Sequence, residues 1–174
     1  MSFRSCIRWA GVAGALCAVA LAAGAASARP TGIAVSGCPT SGLVVWLDTS
    51  GNGAAGSFYY TLRLTNQSGR ACSLVGYPGV SGVDLHGRQL GRAASRNPSP
   101  VRRVTLQNGA TAAATVRIVD VLNFPPAVCR PAAAAGLRVF PPNQRASKTV
   151  PFPFRACSRT SRAYLFVSAV KRSS

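Results

Sequence analysis

Residues 65–80, Thr65-Asn66-Gln67-Ser68-Gly69-Arg70-Ala71-Cys72-Ser73-Leu74-Val75-Gly76-Tyr77-Pro78-Gly79-Val80, place two polar corners around one cysteine. An apolar strand runs into Thr65-Asn66, and Gln67-Ser68-Gly69-Arg70 reverses it. Cys72 anchors the return, and Gly76-Tyr77-Pro78-Gly79 makes the second corner. Asn and Ser bond their own backbone in turns, Gly supplies positive φ, and Pro presets φ. Strand, turn, cysteine, turn is the pattern of a small β domain stapled by disulfides.

The chain on either side agrees. Residues 43–47 are a short apolar run, with Val44, Val45 and Trp46, and read as a first strand. Residues 48–57 form a glycine-rich loop. Residues 58–64 alternate, and a period of two assigns Phe58, Tyr60, Leu62 and Leu64 to one buried face. Residues 80–85 make a third strand and residues 85–90 a tight reversal. Residues 91–103 are polar, proline-bearing and basic. Residues 104–106 and 111–119 flank Gln107-Asn108-Gly109-Ala110, and Asn-Gly between strands predicts a hairpin because both residues tolerate positive φ. Within residues 111–119, Ala112, Ala114, Val116 and Ile118 point inward, Thr115 and Arg117 outward.

Residues 120–136 have little strand character. Pro125, Pro126 and Pro131 interrupt them, and residues 132–135 suit a single helical turn. Residues 137–140 resume the β pattern. Residues 149–154 alternate Pro and Phe and suit an edge strand, since proline donates no ladder bond. Residues 164–170 close the domain. About eight short strands with regular turn signals and no long helix predict one all-β domain over residues 38–171. Its expected architecture is an antiparallel, immunoglobulin-like β-sandwich.

Residues 1–28 carry Arg4 and Arg8, an apolar run over 9–26, and a small–x–small end at Ala26-Ser27-Ala28. This reads as a cleaved secretory signal. A retained anchor is the competing reading, because the run nearly spans a bilayer; its alanine and glycine content disfavours it. The bulky Leu16 before Cys17 argues against lipid attachment. After cleavage no membrane span is expected, residues 29–37 form a flexible lead-in, and the protein is secreted or held in the extracytoplasmic envelope.

Cys6 and Cys17 leave with the signal, and Cys38, Cys72, Cys129 and Cys157 remain. Four cysteines in an exported chain imply two disulfides with three possible connectivities. Pairing of sequence neighbours, Cys38–Cys72 and Cys129–Cys157, is the expected one. Each bond would contribute roughly 3.5–4 kcal/mol by loop-closure entropy. A metal site would need CxxC pairs or histidine ligands, which are absent, so neither metal nor cofactor is expected.

The formal net charge is +17, and loss of Arg4 and Arg8 with the signal leaves +15. There is no glutamate, and the only lysines are Lys148 and Lys171. Such one-sided charge attracts polyanions and repels itself in the folded state. Arg92, Arg96, Arg102 and Arg103 crowd one loop region; Arg155, Arg159 and Arg162 crowd another around Cys157. Should both groups share a face, their guanidinium forks would suit phosphate or carboxylate. The competing reading is a generally basic, solvated exterior. Nucleic acid is not expected as a partner, because stacking would require exposed aromatics and most aromatics here alternate into the core.

Other motifs fail on context. Gly51 to Gly56 matches GxGxxG, yet a strand follows where a dinucleotide site needs a helix. Asp48-Thr49-Ser50-Gly51-Asn52-Gly53 opens like a calcium loop, but Tyr59 stands where a bidentate glutamate belongs. His86 is the only histidine and sits in a glycine-flanked turn. Asp48, Asp84 and Asp120 could supply a carboxylate pair, but aspartates beside turns commonly bond their own backbone. Asn66-Gln67-Ser68 fits a glycosylation sequon, yet Asn66 reads as a turn residue.

The run Leu64-Thr65-Asn66-Gln67-Ser68-Gly69, Ala71-Cys72-Ser73-Leu74 and Gly76-Tyr77-Pro78-Gly79-Val80 resembles a family of exported actinobacterial proteins, domain of unknown function number 4232. Cys38, Ala55-Gly56 with Tyr60, Leu106-Gln107-Asn108-Gly109, Cys129-Arg130-Pro131, Pro141-Pro142 and Ala156-Cys157 extend the resemblance over about residues 38–170. It implies a secreted or surface-attached immunoglobulin-like domain and brings no catalytic residues. Members often carry a lipoprotein signal and a Ser/Pro/Thr-rich linker, which are not seen here.

The expected activity is therefore contact rather than catalysis: a non-enzymatic envelope module that holds anionic polymers or lipid headgroups through arginines. A protein–protein or host-interaction domain using a sheet face or edge is the alternative. A hydrolase is the remoter one, since it needs a cleft with convergent polar groups.

Overall fold

The computed structural model describes residues 35–159 and 161–173. The expected signal and the first part of the lead-in lie outside the described residues. The strands are β1 (Leu43–Ala54), β2 (Ser57–Asn66), β3 (Cys72–Val75), β4 (Gly79–Val83), β5 (Gln89–Leu90) and β6 (Ser95–Arg96). They continue with β7 (Arg103–Leu106), β8 (Thr111–Val119), β9 (Pro131–Phe140), β10 (Lys148–Cys157), β11 (Leu165–Val167) and β12 (Lys171–Arg172). One helical turn, α1 (Pro126–Cys129), precedes β9.

The larger sheet runs β1-β2-β8-β11-β6, with β12 also on β8; the second runs β10-β9-β4-β5; β3 and β7 form a separate pair. All pairings between these strands are antiparallel except β11 with β6. The core lies between the two larger sheets, with Leu62, Leu64, Ala114, Val116 and Ile118 from one and Val80, Leu137, Val139 and Val150 from the other. The protein is thus an antiparallel, immunoglobulin-like β-sandwich. It is stapled by Cys38–Cys72 and Cys129–Cys157, the neighbour pairing expected from the sequence.

Asn66 explains why residues 65–80 fold as they do. Its side chain is fully buried. The amide nitrogen donates to the Arg70 and Leu106 carbonyls at 2.7 and 3.0 Å. Its oxygen accepts from the Ser68 backbone N–H at 3.0 Å and the Ser68 hydroxyl at 2.7 Å. The nitrogen that a glycan would need is committed inside the fold. The neighbouring turn is docked onto the same hub: Gly109 N–H donates to the Asn66 carbonyl at 2.6 Å, and Gly69 N–H donates to Asn108 Oδ1 at 2.9 Å. Gly69 and Gly109 both hold positive φ, which lets the two turns meet backbone to backbone.

That docking corrects the hairpin expected at Asn108-Gly109. The turn forms, but β7 pairs with β3 and β8 with β2, so it crosses between sheets. Ala110 N–H does bond the Gln107 carbonyl at 3.0 Å, but the Ala110 carbonyl that would continue a ladder accepts from Asn66 N–H at 2.9 Å.

Four further differences have local causes. Residues 48–57 are not a loop: β1 continues to Ala54 with a register shift between Asp48 and Asn52, and only Ala55-Gly56 turn, both at positive φ. Residues 132–135 are strand, not helix, because β9 pairs with β10 there, and tertiary pairing overrides alanine's propensity. The lead-in is ordered by residue 36, where the Ser36 carbonyl accepts from Ser73 N–H at 2.8 Å. Phe58 shares its expected face with Leu62 and Leu64 yet stays 43% exposed, where β2 reaches the end of the sandwich. The proline-rich β10 is an edge strand, as its sequence implies.

Aromatic rings link the sheets on that side. Tyr60 and Phe152 lie 4.8 Å apart edge to face, Phe152 and Phe154 5.7 Å apart, and Phe154 and Tyr164 6.5 Å apart. Tyr164 is fully buried and donates its hydroxyl to the Leu90 carbonyl at 2.9 Å. Gly82 is the residue opposite: a side-chain carbon there would sit 2.5 Å from the Tyr164 hydroxyl.

Candidate anion-binding groove

The Gly76-Tyr77-Pro78-Gly79 corner positions the two walls of a surface groove. On one side the Tyr77 hydroxyl donates to the Ser99 carbonyl at 3.1 Å, and Asn97 N–H bonds the Val167 carbonyl at 2.8 Å. These bonds fix the basic segment that leads into β7. On the other side Val170 N–H donates to the Gly76 carbonyl at 2.9 Å, which sets the start of β12. Ser99 Oγ accepts from Ala169 N–H at 2.8 Å and ties the walls together at one end.

Between them lies a cavity of about 480 Å³ whose lining includes Arg102, Arg103, Lys171 and Arg172 above Val104 and Val170. A second cavity of about 360 Å³ adjoins it, shares Arg172, and is walled by Trp46 and Arg63. Both flanking strands are sheet edges: β7 pairs only with β3, and β12 only with β8.

The charges in this groove differ in how far they are already used. Arg63 donates Nε and Nη2 to Asp48 Oδ2 at 3.4 and 3.0 Å and Nη1 to Ser173 Oγ at 2.8 Å. Its guanidinium also lies 5.3 Å from the Trp46 ring centroid. Arg103 spends Nη1 on Ser73 Oγ at 2.9 Å. Arg102, Lys171 and Arg172 make no side-chain hydrogen bond or ion pair among the described residues.

Among the described residues no carboxylate lines either cavity. Each of the three aspartates bonds a local backbone N–H instead. Asp48 accepts from Ser50 N–H at 3.1 Å, Asp84 from His86 and Arg88 N–H at 2.9 Å each, and Asp120 from Leu122 N–H at 3.0 Å. The Ser50 amide and then Arg63 hold the Asp48 carboxyl below the usual carboxylate range; the Arg88 amide is the largest such cause at Asp84. His86 is exposed in the turn that Asp84 organises.

The seven arginines singled out in the sequence do not gather around one cavity. Arg102 and Arg103 reach the groove. Arg96 stacks over Tyr77 at 5.4 Å. Arg92 follows Gly91, which packs against the Cys157 and Arg159 carbonyls. Arg159 and Arg162 belong to the Cys129–Cys157 corner, where Arg159 N–H donates to the Cys129 carbonyl at 3.2 Å and Ser161 Oγ to the Val128 carbonyl at 3.2 Å. Arg155 lines a separate apolar cleft of about 310 Å³ with Phe58, Leu122 and Phe152. Lys171 and Arg172 complete the groove and were missed. The adjacent basic pair was visible, but only strand pairing of β12 with β8 brings it opposite Arg102.

Fold and groove together define a disulfide-stapled β-sandwich with a cationic groove between two sheet edges. The chain belongs to the family described as domain of unknown function DUF4232, which it matches over residues 38–171. Among curated proteins and among solved structures, none matches it. Paired cysteines of this kind persist in oxidising compartments, which places the domain outside the cytoplasm. No helix among the described residues is long and apolar enough to cross a membrane.

Proposed function

We propose that this protein is a non-enzymatic module, secreted or held in the cell envelope, that binds anionic envelope polymers or lipid headgroups through the groove. One observation carries the reading: Arg102, Lys171 and Arg172 line a cavity of about 480 Å³ and, among the described residues, have no carboxylate beside them in its lining and no hydrogen-bond or ion-pair partner. Guanidinium forks and an ammonium group with unspent donors suit phosphate or carboxylate oxygens.

Two charge-reversal variants of equal net charge test it. Arg102→Glu/Lys171→Glu/Arg172→Glu should lose retention on envelope fractions at low salt, while Arg92→Glu/Arg155→Glu/Arg159→Glu should keep most of it. Retention of the unmodified protein should fall steeply as salt rises, because binding releases counterions. Equal losses in the two variants would mean a diffuse basic surface and no site.

A second reading is a protein-binding surface at the apolar cleft. Phe58 and Leu122 are 43% and 74% exposed there, beside Phe152. A salt-resistant partner captured by the protein and lost with Phe58→Ser/Leu122→Ser would favour it.

A further inference from the structure

We infer that the groove takes a linear chain of phosphates, lying across Arg172 from the larger cavity into the smaller, and not an isolated anion. The inference deepens the proposed function and rests on it. Capacity is the first argument. Liquid water takes about 30 Å³ per molecule, so a cavity of about 480 Å³ has room for several phosphate groups in direct contact with its walls. Charge is the second. Arg102, Arg103, Lys171 and Arg172 bring four positive charges, and no carboxylate stands among the described lining residues. One phosphate dianion would leave half of that charge uncompensated, whereas a chain matches it at several points.

Continuity is the third argument. Arg172 is common to both cavities, so a chain held at Lys171 and Arg172 is led toward Trp46. Beyond Arg172 the only cation among the described lining residues is Arg63, whose nitrogens are taken by Asp48 and Ser173. The second cavity therefore extends a ligand anchored in the first and does not capture one alone.

Donor chemistry favours phosphate over an acidic peptide strand. A peptide strand entering the groove would seek backbone partners on its floor, yet two amides there, Thr115 on β8 and Ala169 before β12, are already capped by hydroxyls. Thr115 N–H donates to Ser168 Oγ at 2.9 Å and Ala169 N–H to Ser99 Oγ at 2.8 Å. Those hydroxyls donate onward to the Ala169 and Asn97 carbonyls. What remains is a set of cationic side-chain donors, which suits a ligand that only accepts.

Trp46 is a built-in reporter. The chain has two tryptophans, Trp9 and Trp46, and Trp46 walls the second cavity. The full chain carrying Trp9→Phe is titrated with orthophosphate, tripolyphosphate and long-chain polyphosphate at equal total phosphate, and with polyglutamate at equal charge. Binding is followed by calorimetry and by tryptophan fluorescence. Long polyphosphate should bind at least tenfold more tightly per phosphate than tripolyphosphate and shift Trp46 emission. Orthophosphate should leave Trp46 unchanged. Arg172→Ala should abolish the fluorescence shift while calorimetric binding through Arg102 and Lys171 persists, weakened. Affinity per phosphate independent of length, a silent Trp46 under bound long chains, or tighter binding of polyglutamate would overturn the inference alone. Failure of every anion to bind would overturn the proposed function with it.

Discussion

Removing the Cys129–Cys157 disulfide should cost the fold about as much as loop-closure entropy predicts, because hydrogen bonds already hold the corner it closes. Cys129 ends α1, and Cys157 ends β10 opposite Pro131, so the bond joins the base of the β9–β10 hairpin. Ser158 N–H and Ser158 Oγ both donate to the Arg130 carbonyl, at 3.1 and 2.8 Å, and Arg159 N–H reaches Cys129. The native geometry therefore survives without the sulfurs, and the loss falls mainly on the unfolded chain. A separation of 28 residues corresponds to about 3.6 kcal/mol. Both half-cystines are fully buried, so an alanine pair adds a small cavity cost of about 1 kcal/mol.

Cys129→Ala/Cys157→Ala should thus lose about 3.5–5 kcal/mol in urea unfolding at neutral pH. The denaturant slope should rise, since the freed chain exposes more surface when unfolded. Cys38→Ala/Cys72→Ala, with a separation of 34, should lose a similar amount, about 3.8 kcal/mol before any cavity cost. A loss under about 1 kcal/mol at unchanged slope would refute the reasoning. It would mean that the loop is already confined in the denatured chain.

Asn66→Ala should cost about 3–5 kcal/mol in the same assay, since it strands the Arg70 and Leu106 carbonyls and the Ser68 amide; a change within about 1 kcal/mol would show that water replaces the amide. Burial pushes the Tyr164 hydroxyl well above its ordinary value of 10.0, so the folded chain keeps a proton that the unfolded chain releases. Its contribution is present below pH 10 and should fall by about 1.4 kcal/mol per unit above it. Tyr164→Phe, less stable at neutral pH, should close that gap as pH rises; parallel curves would contradict the assignment. Asp84 has its pKa lowered, chiefly by the Arg88 amide, so its contribution is present above the ordinary carboxyl value of 3.8 and lost as pH falls below it. Asp84→Asn should accordingly flatten the acid limb of stability against pH.

Alternation, turn residues and cysteines were enough to read the sandwich, because each is local or nearly so. Leu62 and Leu64 on β2, and Ala112 to Ile118 on β8, bury the faces that a period of two assigns. What escaped was every feature fixed by pairing distant in sequence. Asn108-Gly109 has hairpin chemistry, yet its partner is the turn at residues 67–70. Ala132 to Ala135 are helix formers held extended by β10. The groove was illegible for the same reason: whether arginines crowded in sequence share a face depends on strand order. Strand order puts Arg155 on a different cavity from Arg102 and brings Lys171 and Arg172 to that of Arg102.

The charge that makes the groove attractive to anions also strains the fold. With three aspartates against 20 basic residues in the whole chain, few cations can be compensated internally. The two ion pairs among the described residues, Asp48–Arg63 at 3.0 Å and Asp84–Arg88 at 2.8 Å, are at least partly exposed. Pairs of that kind contribute about 0–1 kcal/mol and do not offset repulsion across the surface. Raising ionic strength from 0.01 to 0.15 M shortens the screening length from about 30 Å to about 8 Å. Stability should therefore rise with salt while polyanion binding weakens, two responses of opposite sign from one cause. A urea midpoint that climbs with sodium chloride, together with a polyphosphate-induced midpoint shift that shrinks over the same range, is the expected pattern. A flat midpoint in the free protein would show that like-charge repulsion is no stronger in the folded chain than in the unfolded one, and would refute the claim that the charge strains the fold.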